Sequence, residues 1–230
     1  NLSKQAQIIA ANLDQAFLIV TLASPRTSLG FIDRFLVTAE AYDIPTTLIF
    51  NKLDLFSEHG LEILAEYKSI YEKLGYPCYE VSALKGTNIP QIEALLKDKT
   101  TLFSGHSGVG KSSLINALLP GFEIKTGEVS EWSDKGQHTT TFAEMHALPF
   151  GGYLIDTPGI RELGVVDIEK EELSHFFVEM RDRLNQCRFN NCRHVNEPGC
   201  AVINAVEEGE IEVSRYESYL SIYHGNDTRA

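Results

Sequence analysis

A glycine-rich stretch in the middle of the chain has the residue types and spacing of a phosphate-binding loop. Residues 105–112 read GHSGVGKS, which fits GxxxxGK[ST], between the apolar run TTLFS and the helix-like stretch KSSLINALL. Glycines there let successive backbone N–H groups point at phosphate oxygens, and the helix N-terminus adds its dipole. Lys111 would contact the β and γ phosphates, and the Ser112 hydroxyl would bind Mg²⁺. The expected nucleotide contacts are Gly105, His106, Ser107, Gly108, Val109, Gly110, Lys111, Ser112 and Ser113.

The segment NKLD follows another apolar run, TTLIF, and could recognise a guanine base. An ionised Asp54 can accept hydrogen bonds from guanine N1–H and its 2-amino group, a pair of donors that adenine lacks. Asn51 can either bond the base edge or tie this segment to the phosphate-binding loop. The aliphatic part of Lys52 can lie over the ring. Taken alone, NKLD is also a common surface turn.

A third loop begins at Ser82 and Ala83, at the end of the run CYEVS. A backbone N–H near Ala83 could meet the guanine O6 atom. Because ligands of open α/β folds bind at the carboxyl ends of strands, we expect the three loops to meet there. Together they predict a guanine nucleotide, although the phosphate-binding loop alone leaves an ATPase as an alternative.

The segments that would sense the γ phosphate follow the phosphate-binding loop. Asp156, in DTPG, is expected to hold Mg²⁺ through water, and the Gly159 N–H is expected to reach the γ phosphate. In KGQHTTTF we expect Thr140, with Thr139 as the second choice, to complete the magnesium shell only while the γ phosphate is present. The alternatives are a turn at DTPG and threonines that simply begin a strand.

The residue that orients the attacking water is not evident. Ile160 follows DTPG, where many GTPases have a glutamine, and its side chain cannot orient water. We expect His138 or a group from a partner to do so. This predicts that intrinsic hydrolysis is slow and that a partner stimulates it. An ordinary loop histidine is the alternative for His138.

Four clustered residues near the C-terminus have the types and spacing of a structural zinc site. Cys187, Cys192, His194 and Cys200 form C-x4-C-x-H-x5-C, whereas Cys78 stands apart. Three thiolates and an imidazole complete a tetrahedral Zn²⁺ site, so we expect one structural zinc per chain. The clustering also favours a metal over disulfides, because disulfides are rare in a reducing cytosol. Chance clustering of buried cysteines is the alternative.

The net charge of −12 restricts contact with nucleic acid to a local surface. Four arginines near the cysteine cluster could provide that surface, or could be ordinary solvated arginines: Arg181, Arg183, Arg188 and Arg193. The apolar run at residues 16–23 is far shorter than the roughly 20 residues of a membrane span.

The elements that must position these residues alternate as in a parallel sheet covered by helices on both faces. Residues 141–148 are expected to form an antiparallel edge strand, which makes about six strands. The other strands are predicted at residues 17–22, 46–50, 78–82, 100–104 and 152–155, and helices at 29–42, 58–74, 88–97 and 111–119.

We place a domain boundary near residue 165. Residues 1–165 are expected to form the α/β nucleotide-binding domain, a three-layer sandwich, and residues 166–230 a small helical zinc-binding domain. Helical spacing covers residues 168–185 and 201–224, with the acidic residues 207–212 expected in a solvated helix end or turn. The base-recognition motif precedes the phosphate-binding loop, which is a circular permutation of the usual order.

With this order, the motifs GHSGVGKSSLIN, GQHTTTF and DTPGIRE and the cysteine spacing closely resemble the bacterial ribosome small subunit-dependent GTPases, the RsgA or YjeQ family. The resemblance spans about residues 7–223. It implies a cytoplasmic GTP hydrolase that is stimulated by the small ribosomal subunit late in maturation and binds rRNA. The family's N-terminal OB-fold is not expected within this sequence, and we expect a monomer. A nucleotide-gated RNA-binding adaptor with incidental hydrolysis is the alternative.

Overall fold

The computed structural model describes residues 12–119, 144–156 and 168–225, and within them one six-stranded sheet in the order β3-β2-β1-β4-β6-β5. Every neighbouring pair is parallel except β5 with β6, so the predicted sheet and its antiparallel edge strand are confirmed. The strands are β1 (Gln15–Val20), β2 (Thr46–Phe50), β3 (Cys78–Glu80), β4 (Thr100–Ser104), β5 (Glu144–Ala147) and β6 (Tyr153–Asp156).

Four helices cover the two faces of the sheet, within one or two residues of their predicted bounds. They are α1 (Leu29–Ala41), α2 (Glu58–Lys73), α3 (Ile89–Leu96) and α4 (Lys111–Leu118). Because side chains alternate along a strand, Leu18 packs with α1 and α2 on one face, while Phe17 and Ile19 pack with α3 and α4 on the other. The predicted three-layer sandwich is therefore confirmed.

The central strands β1 and β4 mark the point where the chain changes direction across the sheet. From β1 the chain adds β2 and β3 on one side, and then β4 and β6 on the other. The loops that follow β1 and β4 consequently lie side by side at the carboxyl edge of the sheet. This is the position where open α/β sheets bind ligands.

Residues 168–225, called the zinc module after its predicted ligands, have shorter elements than the sequence predicted. Two 3₁₀ turns (Leu173–Phe176 and Leu184–Gln186) flank the four-residue helix α5 (Val178–Arg181). The prediction of helix across residues 168–185 was therefore wrong. Phe177 is fully buried with an extended backbone, which interrupts the helical path.

The rest of the zinc module consists of α6 (Ala201–Glu207) and α7 (Val213–Tyr223). Most of the acidic stretch 207–212 lies between them in an exposed turn with Gly209 at φ +74°, as expected. The core of the module also contains Val37 of α1, so the module packs directly on the α/β domain. The predicted boundary near residue 165 lies outside the described residues. None of the described helices is long and apolar enough to cross a membrane.

Candidate nucleotide and metal sites

Asn51 joins three loops at the carboxyl edge of the sheet. Its Nδ2 donates to the carbonyls of Val109 (3.0 Å) and Gly110 (3.3 Å), and its Oδ1 accepts from the Ala83 N–H (3.1 Å). The side chain is 1% exposed. Of the two roles considered for Asn51, the structure shows the tie between loops.

Lys52 and Asp54 of NKLD are held beside this tie. Lys52 has a left-handed backbone (φ +65°), and its Nζ donates to the Ser24 carbonyl at 2.7 Å. Its side chain lies close to Gly110. Asp54 lies on an exposed 3₁₀ turn and accepts through Oδ1 from the Ser82 hydroxyl. The Asp54 carboxylate is therefore oriented by the loop that begins at Ser82.

That loop is itself fixed by backbone bonds. Ser82 and Thr87 exchange two N–H to carbonyl bonds (3.2 and 3.0 Å), and the Lys85 N–H donates to Ser82 Oγ (3.1 Å). The N–H of Ala83, which we expected near the guanine O6 atom, bonds Asn51 here. Ala83 thus contributes to loop geometry.

The phosphate-binding loop follows β4 and leads into α4, as its motif requires. A Cβ at Gly105 would overlap the Ile19 carbonyl, and a Cβ at Gly110 (φ +89°) would overlap Asn51 Nδ2. Only glycine fits at these two positions, because backbone or a tying side chain approaches each of them closely. Val109 is fully buried, which holds the loop against the core.

Lys111 and Asp156 meet at the end of the phosphate-binding loop. Lys111 Nζ lies 3.1 Å from Asp156 Oδ1, and the two side chains are 11% and 19% exposed. The register of the two strands brings them together. Asp156, the last residue of β6, pairs with Phe103 near the end of β4, and β4 leads directly into the phosphate-binding loop. The hydroxyl of Ser112 and this carboxylate are oxygen donors of the kind that Mg²⁺ prefers, so the donor set fits magnesium. The residues Thr139, Thr140, His138, Gly159 and Ile160 lie outside the described residues.

The segment that follows β1 was missed by sequence reasoning. Besides the Ser24 carbonyl, Pro25 lies close to Gly108 of the phosphate-binding loop. The Phe31 ring stacks on His106 with centroids 3.5 Å apart and planes 28° apart. Burial lowers the pKa of His106, which favours the neutral ring. The available signal was topological, since any segment after a central parallel strand reaches this edge.

The predicted zinc ligands come together in the zinc module. The ligand atoms of Cys187, Cys192, His194 and Cys200 all lie within 4.8 Å of one another. His194 Nδ1 is 3.3 Å from Cys200 Sγ and 3.7 Å from Cys187 Sγ. Tetrahedral zinc with a Zn–S bond near 2.3 Å places its ligands about 3.8 Å apart, so the donor set fits zinc.

Burial is the main cause that raises the pKa of Cys192 to about 12; the neighbouring Cys200 and Cys187 also act to raise this pKa, whereas a hydrogen bond from the His194 backbone acts to lower it. A divalent cation is what would let these thiols ionise together. Burial likewise lowers the pKa of His194, which leaves the imidazole in the neutral form that binds metal.

The backbone around these ligands is held by groups that the motif does not contain. Glu197 accepts from the N–H groups of Arg193 (2.9 Å), Val195 (2.9 Å) and Asn196 (3.1 Å). Burial alone would raise the pKa of Glu197, but these backbone N–H groups outweigh it and lower the pKa to about 2. Tyr216 donates to the His194 carbonyl at 2.7 Å.

Two of the four arginines near the cluster pair with acidic side chains. Arg181 pairs with Glu40 (3.1 Å) and Arg183 with Glu210 (2.7 Å). Arg188 and Arg193 are exposed in residues 187–200, the segment of the predicted zinc ligands, which we call the zinc loop. The Arg188 guanidinium lies over the ring of Phe189, 5.4 Å from its centroid.

Comparison with known proteins agrees with this geometry. A family model described as RsgA GTPase matches residues 1–166. A Bacteroides fragilis protein named small ribosomal subunit biogenesis GTPase RsgA is 54% identical over 222 residues, which are 96% of this chain and 72% of that protein. A Flavobacterium psychrophilum protein of the same name is 52% identical, over 99% and 70% of the two chains.

Two solved structures have the same architecture. YjeQ from Thermotoga maritima superposes with a TM-score of 0.81 and 43% identity, over 95% of this chain and 73% of that one. YloQ, described as a circularly permuted GTPase, superposes with a TM-score of 0.76 and 33% identity, over 93% and 68% of the two chains.

Proposed function

Because this chain belongs to the RsgA GTPase family, we propose that it hydrolyses GTP when it binds the small ribosomal subunit and acts in the biogenesis of that subunit. It is a circularly permuted GTP hydrolase. Its relatives are named for small ribosomal subunit biogenesis, and the same partner is proposed for this chain.

The observation that carries the proposal is the position of Asn51. One buried amide holds the phosphate-binding loop on one side and the Ala83 loop on the other, and Lys52 runs past Gly110. A nucleotide whose β phosphate lies over the phosphate-binding loop therefore has its base near Asp54. This arrangement explains how motifs more than fifty residues apart serve one ligand.

The residues then take distinct roles toward GTP. Asp54, oriented by Ser82, accepts from the guanine N1–H and 2-amino groups, and Lys52 covers one face of the base. Lys111 leaves its pairing with Asp156 to contact the β and γ phosphates, since a triphosphate offers it more negative charge. Ser112 and Asp156 would hold Mg²⁺, which offsets phosphate charge during transfer. Thr140, Gly159 and His138 keep the roles proposed for them from the sequence.

We also propose that the four residues of the cysteine cluster hold one structural zinc ion. The zinc loop carries exposed Arg188, Phe189 and Arg193, which suit contact with rRNA because arginine pairs with phosphate and an aromatic ring stacks on bases. A cytoplasmic monomer with a boundary near residue 165 completes the proposal.

The test is multiple-turnover hydrolysis of GTP and ATP, with and without purified small subunits. We expect GTP hydrolysis to be accelerated by the subunit and ATP to be a poor substrate. Absence of acceleration would favour an RNA-binding adaptor in which hydrolysis is incidental.

The same assay with Asp54→Ala tests base recognition. This change should weaken GTP binding by about a hundredfold or more and remove the preference over ATP, because guanine donors lose a charged acceptor. An unchanged preference would contradict the guanine assignment.

A further inference from the structure

Helix α1 contacts both the phosphate-binding loop and the zinc module. Its first turn carries Phe31, which stacks on His106, while Asp33 and Val37 of the next turns face the zinc module. The helix is held at its start by Ser28, whose hydroxyl accepts from the Phe31 N–H at 3.3 Å. The position of Phe31 is thus set by the same short helix that the module holds.

The contact with the zinc module is a buried charged network. Asp33 is fully buried and accepts from Arg215 Nη1 (2.8 Å) and Tyr71 OH (2.8 Å) through Oδ1, and from Ser218 Oγ (2.6 Å) through Oδ2. Arg215 of α7 is 1% exposed and also donates to both carboxylate oxygens of Glu179, at 2.7 and 3.1 Å.

This network fixes α1 to the module firmly. Separating Asp33 from Arg215 would leave the buried Asp33 carboxylate without its counter-ion, and breaking a buried pair from one side is strongly destabilising. Burial and the Asp33 charge together raise the pKa of Tyr71 well above its usual value, so its hydroxyl stays a donor to Asp33. A shift of α1 relative to α7 is therefore costly.

The contact with the phosphate-binding loop is a ring stack. Phe31 is 3% exposed, and its ring covers His106, the second residue of the loop. Stacked rings interact favourably beyond the area that they bury. The orientation of this part of the loop consequently depends on where α1 holds Phe31.

We propose that Phe31 is a positioning residue, through which the zinc module orients the phosphate-binding loop for nucleotide. The chain of contacts is Arg215 to Asp33, α1 to Phe31, and Phe31 to His106. The proposal rests on the proposed function, because it requires that this loop binds guanine nucleotide.

The first test compares two leucine substitutions on the same helix. Phe31→Leu and Phe35→Leu each remove a ring that is 3% exposed, but of these two rings it is Phe31 for which the described residues show a stack on the phosphate-binding loop. We expect Phe31→Leu to weaken the binding of fluorescent GDP about fivefold and Phe35→Leu to leave it within twofold of wild type. The comparison is made once the two variants are shown to unfold at similar midpoints. Equal weakening by both changes would overturn the positioning role.

The second test asks whether the zinc module acts through Phe31. Because Arg215 is proposed to act through Phe31, Arg215→Met should weaken GDP binding by no more than about fivefold in the wild-type background, and by less than about twofold in the Phe31→Leu background. Additive effects in the double variant would overturn the proposal. If Arg215→Met does not fold, Ser218→Ala takes its place in the same comparison of wild-type and Phe31→Leu backgrounds. Ser218→Ala removes one hydrogen bond to Asp33, so its expected effect on GDP binding is smaller.

The two proposals fail in different ways. If the wild-type chain does not bind GDP, the proposed function is wrong. If it binds GDP but the matched variants do not differ, only the role of Phe31 is wrong.

Discussion

The zinc cluster and the nucleotide site are assembled in opposite ways. All four proposed zinc ligands lie within residues 187–200, and local turns bring them together. The nucleotide site is built from loops after four strands that are distant in sequence, and Asn51 joins three of these loops. A local site can be inferred from spacing alone, whereas a distributed site depends on the order of strands in the sheet.

The two regions also respond differently to damage. A zinc site loses its ion when one ligand is lost, because the remaining groups are buried and need the charge of the metal. A distributed nucleotide site can lose one contact and keep its fold, because the sheet holds the other loops in place. Four changes test this difference, from the largest expected effect to the smallest.

Cys192→Ser should have the largest effect. We expect zinc content to fall from about one ion per chain to near zero, and the free energy of unfolding to fall by more than about 4 kcal/mol, as for loss of a structural metal. Elemental analysis and urea unfolding measure these quantities. Cys78→Ser is the control, because Cys78 lies in β3 away from the cluster. Full zinc occupancy in Cys192→Ser would contradict the assignment.

Gly110→Ala should damage the nucleotide site while the fold survives. The new methyl group would displace the Asn51 amide, so GDP affinity should fall by about a hundredfold or more. Gly75→Ala is matched in backbone, with φ +88° against +89°, but a Cβ there meets open space. It should cost about 1 kcal/mol of stability with GDP affinity unchanged. Similar GDP affinities in the two variants, measured by calorimetry, would mean that the Asn51 tie is unimportant.

Glu197→Gln should weaken the zinc module by a smaller amount. The lost charge reduces three backbone hydrogen bonds, so we expect about 1–2 kcal/mol less unfolding free energy at pH 7. Because the pKa of Glu197 is lowered to about 2, its stabilisation is present above the unfolded value near 4.3 and is lost as pH falls toward 2. Glu208→Gln, in the exposed turn after α6, should change little.

A change of pH should perturb the phosphate-binding loop least. Burial lowers the pKa of His106, so folding disfavours its proton, and stability is lost as pH falls below the unfolded value near 6.5. We expect the unfolding free energy of the wild type, relative to His106→Phe, to decrease between pH 7.5 and 5.5. His194, whose pKa is also lowered, is common to both proteins and cancels in this difference. A pH-independent difference would show that the ring of His106 stays accessible to protons.

Periodicity and motif context predicted the α/β layer well. The six strands and four covering helices follow from apolar runs separated by amphipathic stretches. The cluster of three cysteines and one histidine was also predicted from spacing, and its side chains meet in the structure because their contacts are local.

The remainder depends on contacts between distant residues. Arg215 gives no sequence signal, since arginine is usually exposed and its partners Asp33 and Glu179 come from other helices. The Pro25 and Phe31 contacts with the phosphate-binding loop depend on β1 lying next to β4. The predicted helix over residues 168–185 failed because Phe177 enters the core there and overrides local helical spacing.

The buried pairing of Arg215 with Asp33 limits how this protein could be divided or recombined. Residues 168–225 transplanted onto an unrelated carrier would keep their metal ligands but carry a guanidinium group without one of its counter-ions. A chimera that retained α1 as a companion helix would restore that counter-ion. For protein engineering, the transferable unit is therefore discontinuous: a C-terminal segment together with a helix encoded more than a hundred residues earlier.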